Sequence, residues 1–222
     1  DAINEPDRPI PSGRVAGRWG LYIAVIGTVL SLLLAMALGP LVLAAAAIGL
    51  ALAWAYSAPP FRLKASGWWG PAVVGLTYEG LSWFTGAAVM LGAMPSMEVL
   101  AILLLYSIGA HGIMTLNDFK AVEGDRATGL RSLPVTMGVH NASIFACAVM
   151  GGAQIVVIAL LLMWGQLFSA AIVAMFLAGQ IALMPRLVRD PARHAPWYGA
   201  TGVTLYVFGM LAAGLGLGGY FG

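Results

Sequence analysis

The chain has 222 residues, 60% of them hydrophobic and 9% charged, with a formal net charge of +2. Soluble domains carry about 45–50% apolar and about 25% charged residues, so a water-soluble globule of this composition could not cover its surface with polar groups. The small net charge is spread over several segments rather than gathered in a tract, and gives no basis for a nucleic-acid partner.

The chain opens on Asp1, with neither an initiator Met nor a signal-like apolar run, as expected of a fragment lacking an N-terminal part. Its first segment is polar: Asp1, Asn4, Glu5, Asp7 and Arg8 lead into Pro9-Ile10-Pro11-Ser12-Gly13-Arg14. Closely spaced prolines forbid a helix there and predict a rigid loop. Seven apolar runs follow, over residues 19–38, 40–56, 70–93, 96–115, 142–163, 166–184 and 197–218. Crossing a hydrocarbon core about 30 Å thick takes roughly 20 helical residues, and these runs match that length. None shows the alternation of a barrel strand, and lipid offers backbone groups no partners, so each span must satisfy its own. The predicted fold class is therefore all-α, a polytopic transmembrane helical bundle of seven spans forming a single domain over residues 1–222.

The eleven basic residues support that span count. Arg8, Arg14 and Arg18 precede the first run, Arg62 and Lys64 follow the second, Lys120, Arg126 and Arg131 follow the fourth, and Arg186, Arg189 and Arg193 follow the sixth. All fall on alternate loops, hence on one face, which the positive-inside rule makes cytoplasmic. Of the acidic residues only Glu79 and Glu98 lie elsewhere. The chemistry is expected at the cytoplasmic surface. Cys147 lies alone within an apolar run and reads as packing.

After the second run, Tyr56-Ser57-Ala58-Pro59-Pro60-Phe61-Arg62-Leu63-Lys64 combines a proline break with two cations. After the fourth comes Asn117-Asp118-Phe119-Lys120-Ala121-Val122-Glu123-Gly124-Asp125-Arg126. If the helix continues through it, Asp118 and Asp125 share a face, with Glu123 roughly 140° from Asp118. Converging carboxylates repel unless a cation bridges them, and Mg²⁺ suits one or two carboxylates completed by water and substrate phosphates. Lys120, Arg126 and Arg131 stand ready for the same phosphates. A set of ordinary solvated loop charges is the competing reading. Glu79 and His111 lie inside apolar runs; a carboxylate in a span costs about 2.5–3.5 kcal/mol on insertion scales and usually faces the protein interior.

Three segments carry a resemblance: Asp1-Ala2-Ile3-Asn4-Glu5-Pro6 running into Arg8-Pro9-Ile10-Pro11-Ser12-Gly13, then Tyr56-Ser57-Ala58-Pro59-Pro60, then Asn117-Asp118-Phe119-Lys120 with Glu123-Gly124-Asp125-Arg126. Together they resemble the chlorophyll-esterifying branch of the UbiA-type intramembrane prenyltransferases. Trp19-Gly20-Leu21-Tyr22, Glu79-Gly80-Leu81, Trp83-Phe84-Thr85-Gly86 and His111-Gly112-Ile113-Met114-Thr115 are similar to its bacteriochlorophyll members. The resemblance covers essentially the whole chain.

It implies a nine-helix fold, of which the seven spans would be helices three to nine, and two acid-rich motifs that bind Mg²⁺ and a prenyl diphosphate. Asp1 would be the last acid of the first motif, the earlier ones lying outside this chain. In the second motif the family commonly spaces two Asp residues four apart. Here that position holds Ala121, leaving Asp118 and Glu123 as substitutes beside Asp125.

The implied metal ligands are thus Asp1, Asp118, Glu123 and Asp125, and the diphosphate would meet Arg8, Lys64, Lys120 and Arg126. Asp118, Asp125 and Tyr56 would be catalytic, Tyr56 offering an aromatic face to an allylic cation. Glu79 and His111 are candidates for an acceptor pocket. The implied reaction moves a geranylgeranyl or phytyl group from its diphosphate to the propionate of bacteriochlorophyllide or chlorophyllide, at the bacterial inner, photosynthetic membrane. A transporter and a non-catalytic pigment-binding protein are the alternatives; the first would usually show repeated halves and mid-span breaks.

Overall fold

The computed structural model describes residues 6–220, so Asp1 lies outside the described residues. Those residues form helices in the order α1 (Gly17–Leu38), α2 (Pro40–Ser57), α3 (Trp69–Gly75), α4 (Ser82–Leu91), α5 (Met97–Asp118), α6 (Val122–Ala127), α7 (Leu133–Met137), α8 (Val139–Met163), α9 (Leu167–Arg189), α10 (Pro191–Ala200) and α11 (Gly202–Leu217). No strand is named among them, and the all-α expectation holds.

The span count is matched roughly. Among the described residues six stretches are long and apolar enough to cross a membrane: α1, α2, α5, α8, α9, and α10 taken with α11. The predicted span over residues 70–93 is instead composite, with α3 and α4 joined by a π-helical turn over Leu76–Leu81. The helical path from Trp69 to Leu91 is unbroken, and at 1.5 Å per residue it is about 34 Å long.

The π turn has a packing reason. Five residues of α-helix would set Gly75 and Gly80 about 140° apart, whereas i→i+5 geometry brings them to one side. That side meets Ser107 of α5: a Cβ on Gly75 would lie 2.5 Å from the Ser107 carbonyl oxygen, and one on Gly80 2.6 Å from its Oγ. Apolar periodicity does not reveal a one-residue insertion of this kind.

Helix α5 is the central post. Its most apolar window is 56% buried, against 6% for α1. Ile102 and Tyr106 of α5 pack with Met150 and Val157 of α8, Val173 of α9 and Tyr206 of α11 in one buried cluster. The Tyr206 hydroxyl donates to the Tyr106 carbonyl at 2.8 Å. Helix α1 presents Ile23, Leu30 and Leu34 outward, as suits a lipid-facing surface, since lipid tails are as apolar as leucine.

Helices α8 and α9 are fastened by one polar pair. The fully buried Gln154 and Gln180 exchange amide hydrogen bonds of 3.0 and 2.9 Å. Removing one partner strands the other amide in an apolar interior, whereas removing both does not. Gln154→Leu should therefore destabilise the bundle by about 1–2 kcal/mol, and Gln154→Leu/Gln180→Leu should recover most of that loss, read by denaturant titration in mixed micelles.

Candidate functional site

Helix α2 ends at Ser57, and the chain then turns through Pro59 and Pro60. Arg62 adopts left-handed backbone geometry with φ 42°, and its carbonyl accepts from the Ala65 N–H at 2.8 Å, closing a short turn that carries Lys64. The Ser66 Oγ then accepts from the N–H groups of Trp68 and Trp69, each at 3.3 Å, and so tethers the start of α3.

The acidic segment does not continue α5, which corrects the single-helix expectation. The helix stops at Asp118, the Ala121 N–H donates back to the Asp118 carbonyl at 3.0 Å, and α6 starts at Val122. Asp118 thus ends one helix and Asp125 lies on the next, so their relation is not set by a seven-residue spacing on one rod. Beyond α6, the Leu130 N–H donates to the Asp125 carbonyl at 2.9 Å and the Thr128 Oγ1 to the Gly124 carbonyl at 2.7 Å. These bonds hold the return loop against the acids.

The two loops are joined by backbone. The Gly67 N–H donates to the Arg131 carbonyl at 2.8 Å, and the Arg131 N–H to the Ala65 carbonyl at 3.0 Å. The approach is so close that a Cβ on Gly67 would lie 2.8 Å from the Arg131 oxygen and 2.7 Å from the Ser132 carbonyl carbon. Only glycine fits there without displacing a chain.

Between these loops and the ends of α2, α3 and α5 lies a cavity of about 990 Å³. Arg8, Arg62, Lys64 and Lys120 line it together with Asp118, Asp125 and Tyr56. Its lining also has an apolar part, from Ala53, Pro71, Val73, Val74 and Met114. Asp125 is only 7% exposed, and its charge is close enough to act on Asp118. Asp118 in turn lies within electrostatic reach of the Tyr56 hydroxyl.

Of the residues singled out from the sequence, Arg8, Tyr56, Lys64, Asp118, Lys120 and Asp125 thus converge on one cavity. Glu123 and Arg126 do not line it and are exposed on α6. Glu79 sits half-buried in the π turn, outside the lining. His111 is also outside it: its Nε2–H donates to the Trp68 carbonyl at 3.1 Å, and its ring lies 6.0 Å from Trp68 and 5.6 Å from Phe145. That contact ties α5 to the start of α3.

The structure adds Arg62, Asn117, Thr77, Tyr78, Thr128 and Ser132 to the lining. A polar Thr77-Tyr78-Glu79 run inside an otherwise apolar span was the available signal for two of them.

Among the described residues no group of three His, Cys, Asp or Glu forms a ready-made metal cage. Two carboxylates in a cavity that also holds four cations suit Mg²⁺ bound together with substrate phosphates, because that ion keeps waters and takes few protein ligands. The Ser132 Oγ, buried in the lining without a partner, adds a free polar group to that set. The residues present fit a metal-diphosphate assembly.

The chain is similar to known membrane prenyltransferases in sequence and fold. The sequence profile described as "UbiA prenyltransferase family" matches residues 1–208. The chain is 58% identical to the bacteriochlorophyll synthase 33 kDa chain of Cereibacter sphaeroides, over 99% of this chain and 72% of that protein. It is 37% identical to the chloroplastic chlorophyll synthase of Avena sativa, over 97% of this chain and 58% of that protein. A solved structure described as a digeranylgeranylglyceryl phosphate synthase superposes with a TM-score of 0.71 at 23% identity, covering 97% of this chain and 75% of its own, and shows the same fold.

The loop junction is testable without substrate. Gly67→Val should part the two loops and raise amide hydrogen exchange by about tenfold or more across residues 62–68 and 128–132, with exchange in α8 and α9 unchanged. Unaltered protection in the loops would show that the junction is not what joins them.

Proposed function

This chain belongs to the UbiA prenyltransferase family, and from that premise we propose that it transfers a geranylgeranyl or phytyl group from its diphosphate to the propionate carboxylate of bacteriochlorophyllide or chlorophyllide. The observation that carries the reading is the convergence of Asp118 and Asp125 with four cations on one cavity whose lining is also partly apolar. The pigment acceptor rests on likeness to the bacteriochlorophyll and chlorophyll synthases. The protein is an integral membrane prenyltransferase, and the partition of its basic residues supports a site facing the cytoplasm.

The diphosphate lies at the charged end of the cavity and the isoprenoid tail runs along Val73, Val74 and Met114. Asp118 and Asp125 would hold Mg²⁺, which would supply Lewis-acid stabilisation to the diphosphate. Arg8, Arg62, Lys64 and Lys120 stabilise the negative charge that grows on the leaving oxygen. As the bond between C1 and that oxygen breaks, positive charge spreads over the allylic carbons, where the Tyr56 ring offers its electron-rich face. A carboxylate oxygen of the acceptor bonds to C1, and the products are the ester and free diphosphate. The surrounding helices exclude water, which would otherwise capture the allylic centre.

Asp118→Ala and Asp125→Ala in the full-length protein should each lower esterification by at least about a hundredfold, with normal membrane insertion. Chelation of Mg²⁺ should abolish wild-type product in an assay that follows esterified pigment by chromatography. Near-normal turnover in both variants would remove those carboxylates from the site.

A further inference from the structure

Three arginines at the corner between α9 and α10 have no place in the site described above. Arg186, Arg189 and Arg193 are exposed, and none of them lines the larger cavity. Among the described residues none of the three guanidinium groups has a carboxylate partner. The one acid between them, Asp190, is engaged with backbone: its Oδ1 accepts from the Arg193 N–H at 3.2 Å and caps α10.

The corner gathers these cations around one indole. The Arg186 Cζ sits 4.4 Å from the centre of the Trp197 ring, so the end of α9 reaches across to α10. Arg193 precedes Trp197 by four residues on α10, and Arg189 follows Arg186 by three on α9, spacings that put each pair on one helix face. Contact with the indole does not use up the N–H donors of Arg186, whose planar fork matches two oxygens of a phosphate.

Toward the middle of α9 the face that carries Arg186 is apolar. Met175, Ala178 and Ala182 are exposed and lead to Arg186 at helical spacing. At 1.5 Å per residue Met175 lies about 16 Å from Arg186 along the helix, close to half of a hydrocarbon core about 30 Å thick. A face that is apolar for the depth of one leaflet and cationic at its end complements an amphiphile with a negative headgroup. Trp197 beside the cations is the residue type favoured at headgroup level.

We propose that this corner binds one anionic phospholipid, its headgroup phosphate held by Arg186, Arg189 and Arg193 and an acyl chain lying along Met175, Ala178 and Ala182. The site depends on the membrane-spanning helices and not on the transfer reaction, so either can fail without the other. A choline headgroup carries a cation that the arginines repel, whereas a glycerol headgroup does not. The site therefore selects phosphatidylglycerol over phosphatidylcholine.

The test uses delipidated full-length protein in a neutral detergent, offered phosphatidylglycerol and phosphatidylcholine with matched chains in equal amounts, and counts retained lipid by native mass spectrometry. The wild-type protein should retain one phosphatidylglycerol in preference to phosphatidylcholine. Arg186→Gln and Arg189→Gln should each cut that preference about fivefold. Arg18→Gln, which removes the same charge from the exposed start of α1, should leave it unchanged. Arg189→Gln keeps the Arg186–Trp197 contact, so it separates lipid binding from damage to the corner. Equal retention of the two lipids by the wild type, or an equal loss of preference in all three variants, overturns the site. So does displacement of phosphatidylglycerol by inorganic phosphate, which marks a site for a bare anion.

Discussion

Two backbone hydrogen bonds, from Gly67 to Arg131 and from Arg131 to Ala65, are the constraint on which the charged end of this protein depends. One of the joined loops carries Arg62 and Lys64, and the other follows Asp118, Lys120 and Asp125. Without the junction these groups would sit on separate loops at a membrane surface, where each would find water and counterions. With it they border one space. Because the bonds are made by main chain, the junction asks little of side-chain identity except at Gly67, where a Cβ would collide with the opposite backbone.

Beneath that junction the bundle supplies rigidity and dryness. The π turn lets the α3–α4 rod press two glycines against α5, and the Gln154–Gln180 pair locks α8 to α9. The first sets how closely the α3–α4 rod approaches α5, and the second fixes α8 against α9. Asp118 is the last residue of α5 and borders the larger cavity, and the next turn carries Lys120 to its lining. Burial of apolar side chains is non-directional; these polar and backbone contacts are what give the site its geometry.

The chemistry follows the same division. Charge separation at the diphosphate needs cations and a metal, whereas the allylic carbon needs an environment free of water. A cavity lined both by ionic groups and by valines and a methionine suits both needs of the proposed reaction within one volume.

Much of this was legible in the residues. Apolar runs of membrane-spanning length identify helices because lipid leaves the backbone no alternative, and alternate-loop placement of every basic residue puts the charged loops at one end. The motifs around Tyr56, Lys64, Asp118 and Asp125 mark the cavity through charge and proline content, which are local properties. Other features depend on contacts between distant segments: the π turn answers to Ser107, the break after Asp118 replaces the continuous helix that spacing suggested, and Arg126, Glu123 and His111 have the right chemistry but stand outside the lining. The sequence by itself determined the membrane-spanning helical class and which loops hold the charge, because hydropathy and charge act residue by residue. Only the tertiary structure decided which charges meet, because that depends on where two backbones can approach closely enough to bond.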